Sequence, residues 1–242
     1  TRAGNVFATD VKVLDVGSKR LLASSTAKGE GVGSILASQV DQLSRDILLA
    51  LDMPQRDMEA IGSSVVEVTT GSMEAYESFL RGRECYEKLY NTDARRLLEE
   101  TVRIDPEFAV AYLYLAWTYA RLRQPEARDR SLDRAKALSA RATRKERLYI
   151  EAAHARTVAL DSARELRLMR EIVRDYPGEK RAHHRLAGIH RGGGRLYQAI
   201  EEYGRVLALD PEYGWAMNEL GYMYTDSGDY ERAAEYFERY VS

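Results

Sequence analysis

At 242 residues, 45% hydrophobic and 31% charged, the chain is long enough to bury a substantial core as one large domain or two ordinary ones. Its 36 basic and 38 acidic residues leave a formal net charge of −2, so no bulk electrostatic pull toward nucleic acid or an acidic membrane is expected. A single cysteine, Cys85, excludes an internal disulfide framework, and no apolar run nears the roughly 20 residues that span a bilayer.

The cysteine usage fits a reducing, cytoplasmic setting, with an extracytoplasmic one as the alternative if a membrane segment lies upstream. The first residue is Thr and no leader pattern follows it, so a piece of a longer product is expected.

Residues 1–55 follow a two-residue rhythm. In FATDVKVLDV, Phe7, Thr9, Val11 and Val13 fall on one face, and Asp10 and Lys12 on the other, which predicts a half-buried strand. GSKR turns the chain and LLASSTAKGE returns it, giving a hairpin. Ser34 is placed to cap a helix carrying Leu36, Val40, Leu43, Ile47 and Leu51 along one stripe and ending before Pro54. GEGVGS ahead of that helix lacks the Lys-Ser/Thr ending of a phosphate loop and reads as an ordinary loop. Residues 56–71 link this unit to the remainder.

Two strands and a helix cannot enclose a core. The segment resembles the last part of a TolB-like amino-terminal domain, with DVKVLDVGSKRLLAS as its closing hairpin and ILASQVDQLSRDILLALD as its final helix. VVEVTTGSMEAYESFLRGRECY resembles the junction that joins such a domain to helical repeats in bacterial signalling proteins, notably receptor-like serine/threonine kinases and winged-helix regulators. The resemblance implies a partial α/β unit and a sensor or regulatory arm. An open strand edge is a liability, so the hairpin is expected to pair with another copy, as a homodimer, or to pack on the repeats.

From residue 72 onward the chain repeats itself. RIDPEFAVAYLYLAWTY, starting at Arg103, and ALDPEYGWAMNELGYMY, starting at Ala208, share Asp, Pro, Glu, Ala, Leu and Tyr in register. Pro177 and Pro211 are 34 residues apart, and Pro106 lies three such periods and three residues before Pro211. Units then start at Ala75, Ala109, Glu146, Lys180 and Gly214, with three extra residues ahead of Glu146. The eighth position is always small: Gly82, Ala116, Ala153, Ala187 and Gly221. The twenty-fourth is always large and apolar: Leu98, Leu132, Met169, Tyr203 and Phe237. The twentieth is Ala94, Ala199 and Ala233 in three units, but Arg128 and Glu165 in the two degenerate ones.

This pattern resembles the tetratricopeptide repeat family over residues 72–242. It implies a mainly α fold: about five antiparallel helix pairs in a right-handed superhelix, after a small partial α/β unit of hairpin plus helix. Small residues at positions eight and twenty let paired helices approach, and each pair's apolar face is covered by its neighbour. The Asp-Pro steps are expected to cap the following helix with Pro in its first turn. Thr143 with Glu146 reads as a capping box, and the glycines of RGGGRL and DSGDY permit tight turns.

No catalytic constellation is visible, and the kinase signatures are absent, so no enzyme activity, cofactor or metal is expected of these residues. His183, His190 and Cys85 stand at packing positions of their repeats. The family's inward positions assign a partner-binding groove: Tyr76, Phe79, Arg83, Tyr114 and Trp117, then Arg147, His154, Arg181, His184 and Arg185, then Trp215, Asn218 and Tyr222. Aromatics and Arg dominate buried interfaces, so the expected partner is a protein or peptide with apolar anchors and an acidic stretch, not nucleic acid. An oligomerisation element, or the accessory region of a kinase whose catalytic domain lies outside the chain, is the alternative.

Overall fold

The computed structural model describes residues 2–3, 6–15, 17–30, 39–51 and 70–241. It divides into two compact units, Thr1–Thr143 and Arg144–Ser242, and the division falls at the three-residue insertion that interrupts the 34-residue period.

Unit 1 opens with an antiparallel sheet of order β1-β2-β3, from β1 (Arg2–Ala3), β2 (Val6–Leu14) and β3 (Leu21–Glu30). Val13 pairs with Ala23 and Leu14 with Leu21, so the register breaks at a bulge holding Leu22. The alternation seen in sequence is real: Phe7, Thr9, Val11 and Val13 are half-buried, while Asp10 and Lys12 are exposed. Asp15 Oδ1 closes the turn by accepting from the Ser18 amide at 2.6 Å. Helix α1 (Val40–Ala50) packs on β3, and Leu43 of the helix and Ala23 and Ala27 of the strand are buried. Ser25 Oγ donates to Asp46 Oδ2 at 2.7 Å and Thr9 Oγ1 to Gln39 Oε1 at 2.7 Å, tying the helix to both strands. The helix ends one residue early: Leu51 is its C-cap and is 39% exposed, so it leaves the predicted stripe. Ser34, Leu36, most of GEGVGS and nearly all of the 56–71 linker lie outside the described residues.

Among the described residues of unit 1 four further α-helices follow, α2 (Met73–Glu87), α3 (Asn91–Ile104), α4 (Ala109–Arg121) and α5 (Pro125–Ala137), with a short 3-10 turn at Ser139–Arg141. Unit 2 holds α6 (Arg144–Thr157), α7 (Ser162–Asp175), α8 (Lys180–Gly192), α9 (Leu196–Leu209), α10 (Gly214–Asp226) and α11 (Tyr230–Val241). The helices pack as successive pairs, α2 on α3 through α10 on α11. The spelling of the repeat is explained by close approach. A Cβ added at Gly82 would lie 2.9 Å from Leu98 Cγ, and one at Gly221 would lie 2.5 Å from Phe237 Cε1. Position eight therefore meets position twenty-four across the pair, and only a small residue leaves room.

The starts of α2, α7 and α5 carry a side-chain cap or a first-turn proline. Ser72 Oγ accepts from the Ala75 amide at 3.1 Å, Asp161 Oδ1 from the Arg164 amide at 2.8 Å, and Pro125 opens α5. Residue Thr143 immediately precedes α6.

The Asp-Pro steps behave differently from the expectation. Asp105 and Asp210 are extended C-caps of the helices before them, and Pro106 and Pro211 sit in the turns that follow. The reason is local, since a residue preceding Pro is driven out of the helical region. Each Asp then accepts from an amide two residues on, Glu107 at 2.9 Å and Glu212 at 3.3 Å, which shapes the turn rather than the next helix.

The turns inside the pairs share one backbone signature at position fifteen. Gly194 (φ 71°) and Gly228 (φ 81°) are left-handed, as the glycine runs predict, but so are Leu89 (φ 65°), Arg123 (φ 56°) and Leu160 (φ 53°). The amide following this residue bonds back to a helix carbonyl: Tyr90 to Cys85 at 2.8 Å, Gln124 to Tyr119, Arg195 to His190 and Asp229 to Tyr224, each at 2.9 Å. The turn at Leu160 is one residue wider, with Asp161 bonded to Ala155.

Candidate functional site

In unit 1 the predicted inward residues come from α2 and α4, and the fold brings their rings together. Phe79 and Tyr114 meet edge to face at 5.4 Å, Tyr114 and Trp117 at 4.9 Å, and Tyr86 touches both, 5.7 Å from Tyr114 and 6.2 Å from Trp117. Phe79 is only 5% exposed and also packs on Phe108 at 5.0 Å, so it belongs to the core that supports the array. Tyr76, Tyr114 and Trp117 are half-buried. Arg83 is half-exposed, 3.9 Å from the Glu87 carboxylate and 5.9 Å from the Phe79 ring centre. Arg121, absent from the predicted set, lays its guanidinium 3.6 Å over the Tyr86 ring and donates to the Tyr86 carbonyl at 2.5 Å. Its signal was its spacing, 35 residues from Tyr86, close to one repeat.

Unit 2 carries the remaining predicted residues on α6, α8 and α10. Arg147 and His154 are half-buried on α6, and Arg181 is half-buried at the start of α8. Arg185 is engaged: its Nε and Nη2 donate to the two Glu165 oxygens at 2.6 and 2.9 Å. The Glu165 side chain is 4% exposed and also lies 3.8 Å from Arg156. Glu165 is the acid that stands where the repeat wants alanine, and this departure was the sequence signal for the pair. Arg191 donates to Glu219 of the next repeat.

His184 lies between the rings of Tyr203 and Tyr213, at 5.5 and 5.6 Å, with its Nδ1 buried and unpartnered. Burial pushes its pKa down from 6.5, against the Glu219 charge and reinforced by Arg185 and Arg181. The ring is therefore neutral near pH 7. Trp215 and Tyr222 are the most open members, 63% and 50% exposed, with half-buried Asn218 between them in the sequence of α10.

The other histidines are packing residues. His183 is buried, with Nδ1 2.6 Å from Glu202 and Nε2 3.0 Å from the Pro177 carbonyl. His190 is buried and accepts from Arg195 Nε at 2.9 Å. Among the described residues no three His, Cys, Asp or Glu side chains converge in a metal-binding group, and no helix is long and apolar enough to cross a membrane.

Successive packed helix pairs, closed at Gly82 against Leu98 and again at Gly221 against Phe237, define a helical-repeat protein. Residues 180–213 and 216–242 match the tetratricopeptide repeat family, so the last two units are tetratricopeptide repeats. No curated protein matches the chain. Among solved structures, PilW, a widely conserved type IV pilus biogenesis factor, is 19% identical with a TM-score of 0.55, over 70% of this chain and 77% of its own. The Pseudomonas aeruginosa pilF protein is 18% identical with a TM-score of 0.52, over 69% of this chain and 75% of its own. MamA from Desulfovibrio magneticus RS-1 is 20% identical over 70% of this chain and 94% of its own, with a TM-score of 0.47. The first two establish a shared fold, that of tetratricopeptide-repeat proteins.

Proposed function

We propose that the chain is a non-catalytic scaffold for protein–protein interaction, organised as a partial α/β unit (1–55), a linker (56–71) and about five repeats (72–242). The repeat fold supports the scaffold reading at its coarser level. The observation that carries it to particular residues is the exposure of Trp215 and Tyr222 on α10, Trp215 at 63% and Tyr222 at 50% although its ring also meets Phe237 edge to face. Such rings are the side chains that anchor interfaces. The partner is a protein or peptide segment held on the inward helix faces. The resemblance of the first 55 residues to a TolB-like unit supports a regulatory arm of a bacterial signalling protein, placed in the cytoplasm.

A second reading concerns self-association. Among the described residues β3 is the last strand of its sheet order, and it runs ten residues, which supports pairing of hairpins between copies.

The test is cross-linked capture of partners by the full chain and by a Trp215→Ala, Arg181→Ala variant, with equal thermal melts as the folding control. Arg185 is left intact, because its removal takes two short hydrogen bonds from the buried Glu165 carboxylate. Partners are expected to fall away from the variant. Capture of every partner at full yield refutes the assignment.

A further inference from the structure

The turn RGGGRL between α8 and α9 holds three glycines in a row, and the backbone takes a positive φ at one of them, Gly194 (φ 71°). Gly193 has φ −92°, which any residue adopts. What asks for glycine there is a side chain. A Cβ at Gly193 would lie 3.1 Å from Arg195 Cζ and 3.1 Å from its Nη2, so the guanidinium is folded back over Gly193. Gly193 is the C-cap of α8, the end at which a helix dipole favours a cation.

From this position Arg195 Nε donates to His190 Nδ1 at 2.9 Å, and the Arg195 amide donates to the His190 carbonyl at 2.9 Å. An arginine side chain only donates. Nδ1 is therefore the acceptor, and the ring is neutral with its hydrogen on Nε2. His190 is 4% exposed, so a proton on Nδ1 would set two cations in contact with little water to screen them. Arg195 from the turn and Arg170 from α7 oppose that proton, while Glu202 and Glu201 from α9 favour it. Both carboxylates are already engaged, Glu201 with Arg205 at 2.6 Å, and Glu202 with His183 at 2.6 Å and Arg205 at 3.2 Å. Burial first, then the two arginines, hold the His190 pKa below the usual 6.5.

We propose that His190 and Arg195 form a proton-released latch on the α8–α9 turn: neutral His190 keeps the Arg195 side chain over Gly193, and a proton taken up at Nδ1 breaks that bond and frees the turn while the helix pair stays folded. The pair survives because Ala187, Ala199 and Tyr203 close it in a buried core to which the latch does not belong. Once released, the guanidinium belongs to the N-cap residue of α9, where a cation is unfavourable, so it swings out to solvent.

The experiment follows hydrogen exchange of the Arg195 Nε–H and of the amides of residues 193–196 by NMR, in the full 242-residue chain at pH 7.5 and 5.5. Each rate is divided by the intrinsic rate at that pH. An open turn that takes up one proton which the closed turn refuses should open severalfold more often at pH 5.5, up to about tenfold. His190→Phe keeps a buried ring but removes the acceptor, and should expose the Arg195 Nε–H already at pH 7.5 and abolish the pH response. Gly193→Ala, which crowds the guanidinium without straining the backbone, should also expose it at pH 7.5, with little change in the melt. His184→Phe removes the neighbouring histidine and should leave the response of the turn in place. An Arg195 Nε–H protected equally at both pH values, or a response that persists in His190→Phe, overturns the proposal. So do turn amides that exchange no faster than those of α10 and α11 at pH 5.5, since acid would then be unfolding the unit and not the turn.

Discussion

Replacing Leu160 with glycine should stabilise the protein. Leu160 holds φ 53° with its side chain 79% exposed, so it bears the left-handed conformation while burying little. That conformation is about 1–2 kcal/mol worse for a residue with a Cβ than for glycine. Glycine in turn loses roughly 0.5–1 kcal/mol more conformational freedom on folding. The balance is a gain of about 0.5–1 kcal/mol, worth roughly 1–4 °C in melting temperature for a chain of this size. Leu89, at φ 65° and 60% exposed, should respond with the same sign. The reverse experiment uses Gly194→Ala and Gly228→Ala. A Cβ at either position meets nothing within 4 Å, so the loss of about 1 kcal/mol comes from the backbone alone. Helix-pair arrays need not unfold in one step. Native-state hydrogen exchange at the amides of α6 and α7 is therefore the local readout, beside a circular dichroism melt. A Leu160→Gly protein that exchanges faster and melts lower, as Gly194→Ala should, refutes the reasoning.

Removing either partner of the Glu165–Arg185 pair should have unequal effects, because the carboxylate is 4% exposed and the guanidinium side chain 35%. Arg185→Ala takes both short hydrogen bonds from the buried carboxylate, leaving it Arg156 at 3.8 Å, and should cost up to about 3 kcal/mol in urea denaturation, whereas Glu165→Ala restores the alanine of position twenty and should cost less, with the double variant recovering most of the loss; equal single effects would sink this account. Stability should also depend on pH. Burial lowers the pKa of both His184 and His190, so the unfolded chain takes up protons first as pH falls. Their contribution is complete above about pH 6.5 and is lost below it, down to the depressed folded values. Urea midpoints at pH 7.5 and 5.5 should show this loss, and His184→Phe should shrink it; an unchanged difference assigns the effect elsewhere.

The period, the helix pairs and the small-to-large contact were legible in the sequence because each is a property of positions within one repeat. Gly82 against Leu98 and Gly221 against Phe237 are the same pair of positions twice over. Alternation in FATDVKVLDV was legible for the same reason, being a local rhythm. Three things were not. The Asp-Pro steps have the same letters at a C-cap as at an N-cap, and only the extended backbone of Asp105 and Asp210 decides between them. Leu89, Arg123 and Leu160 take a conformation their side chains disfavour because the turn length is imposed by the pairing around them. Pairing along the inward positions was the third, since a repeat register says which residues face inward but not which are already answered. Arg185 is answered from 20 residues upstream and Arg191 from 28 downstream. The departures from the repeat were nonetheless the clue. An acid at position twenty, where helices approach closely enough to demand alanine elsewhere, is tolerable only with a counter-charge in reach, and position six of the next repeat supplies it. Arg185 and Arg191 are therefore already answered from within the chain, and another carboxylate reaches them only by displacing Glu165 or Glu219.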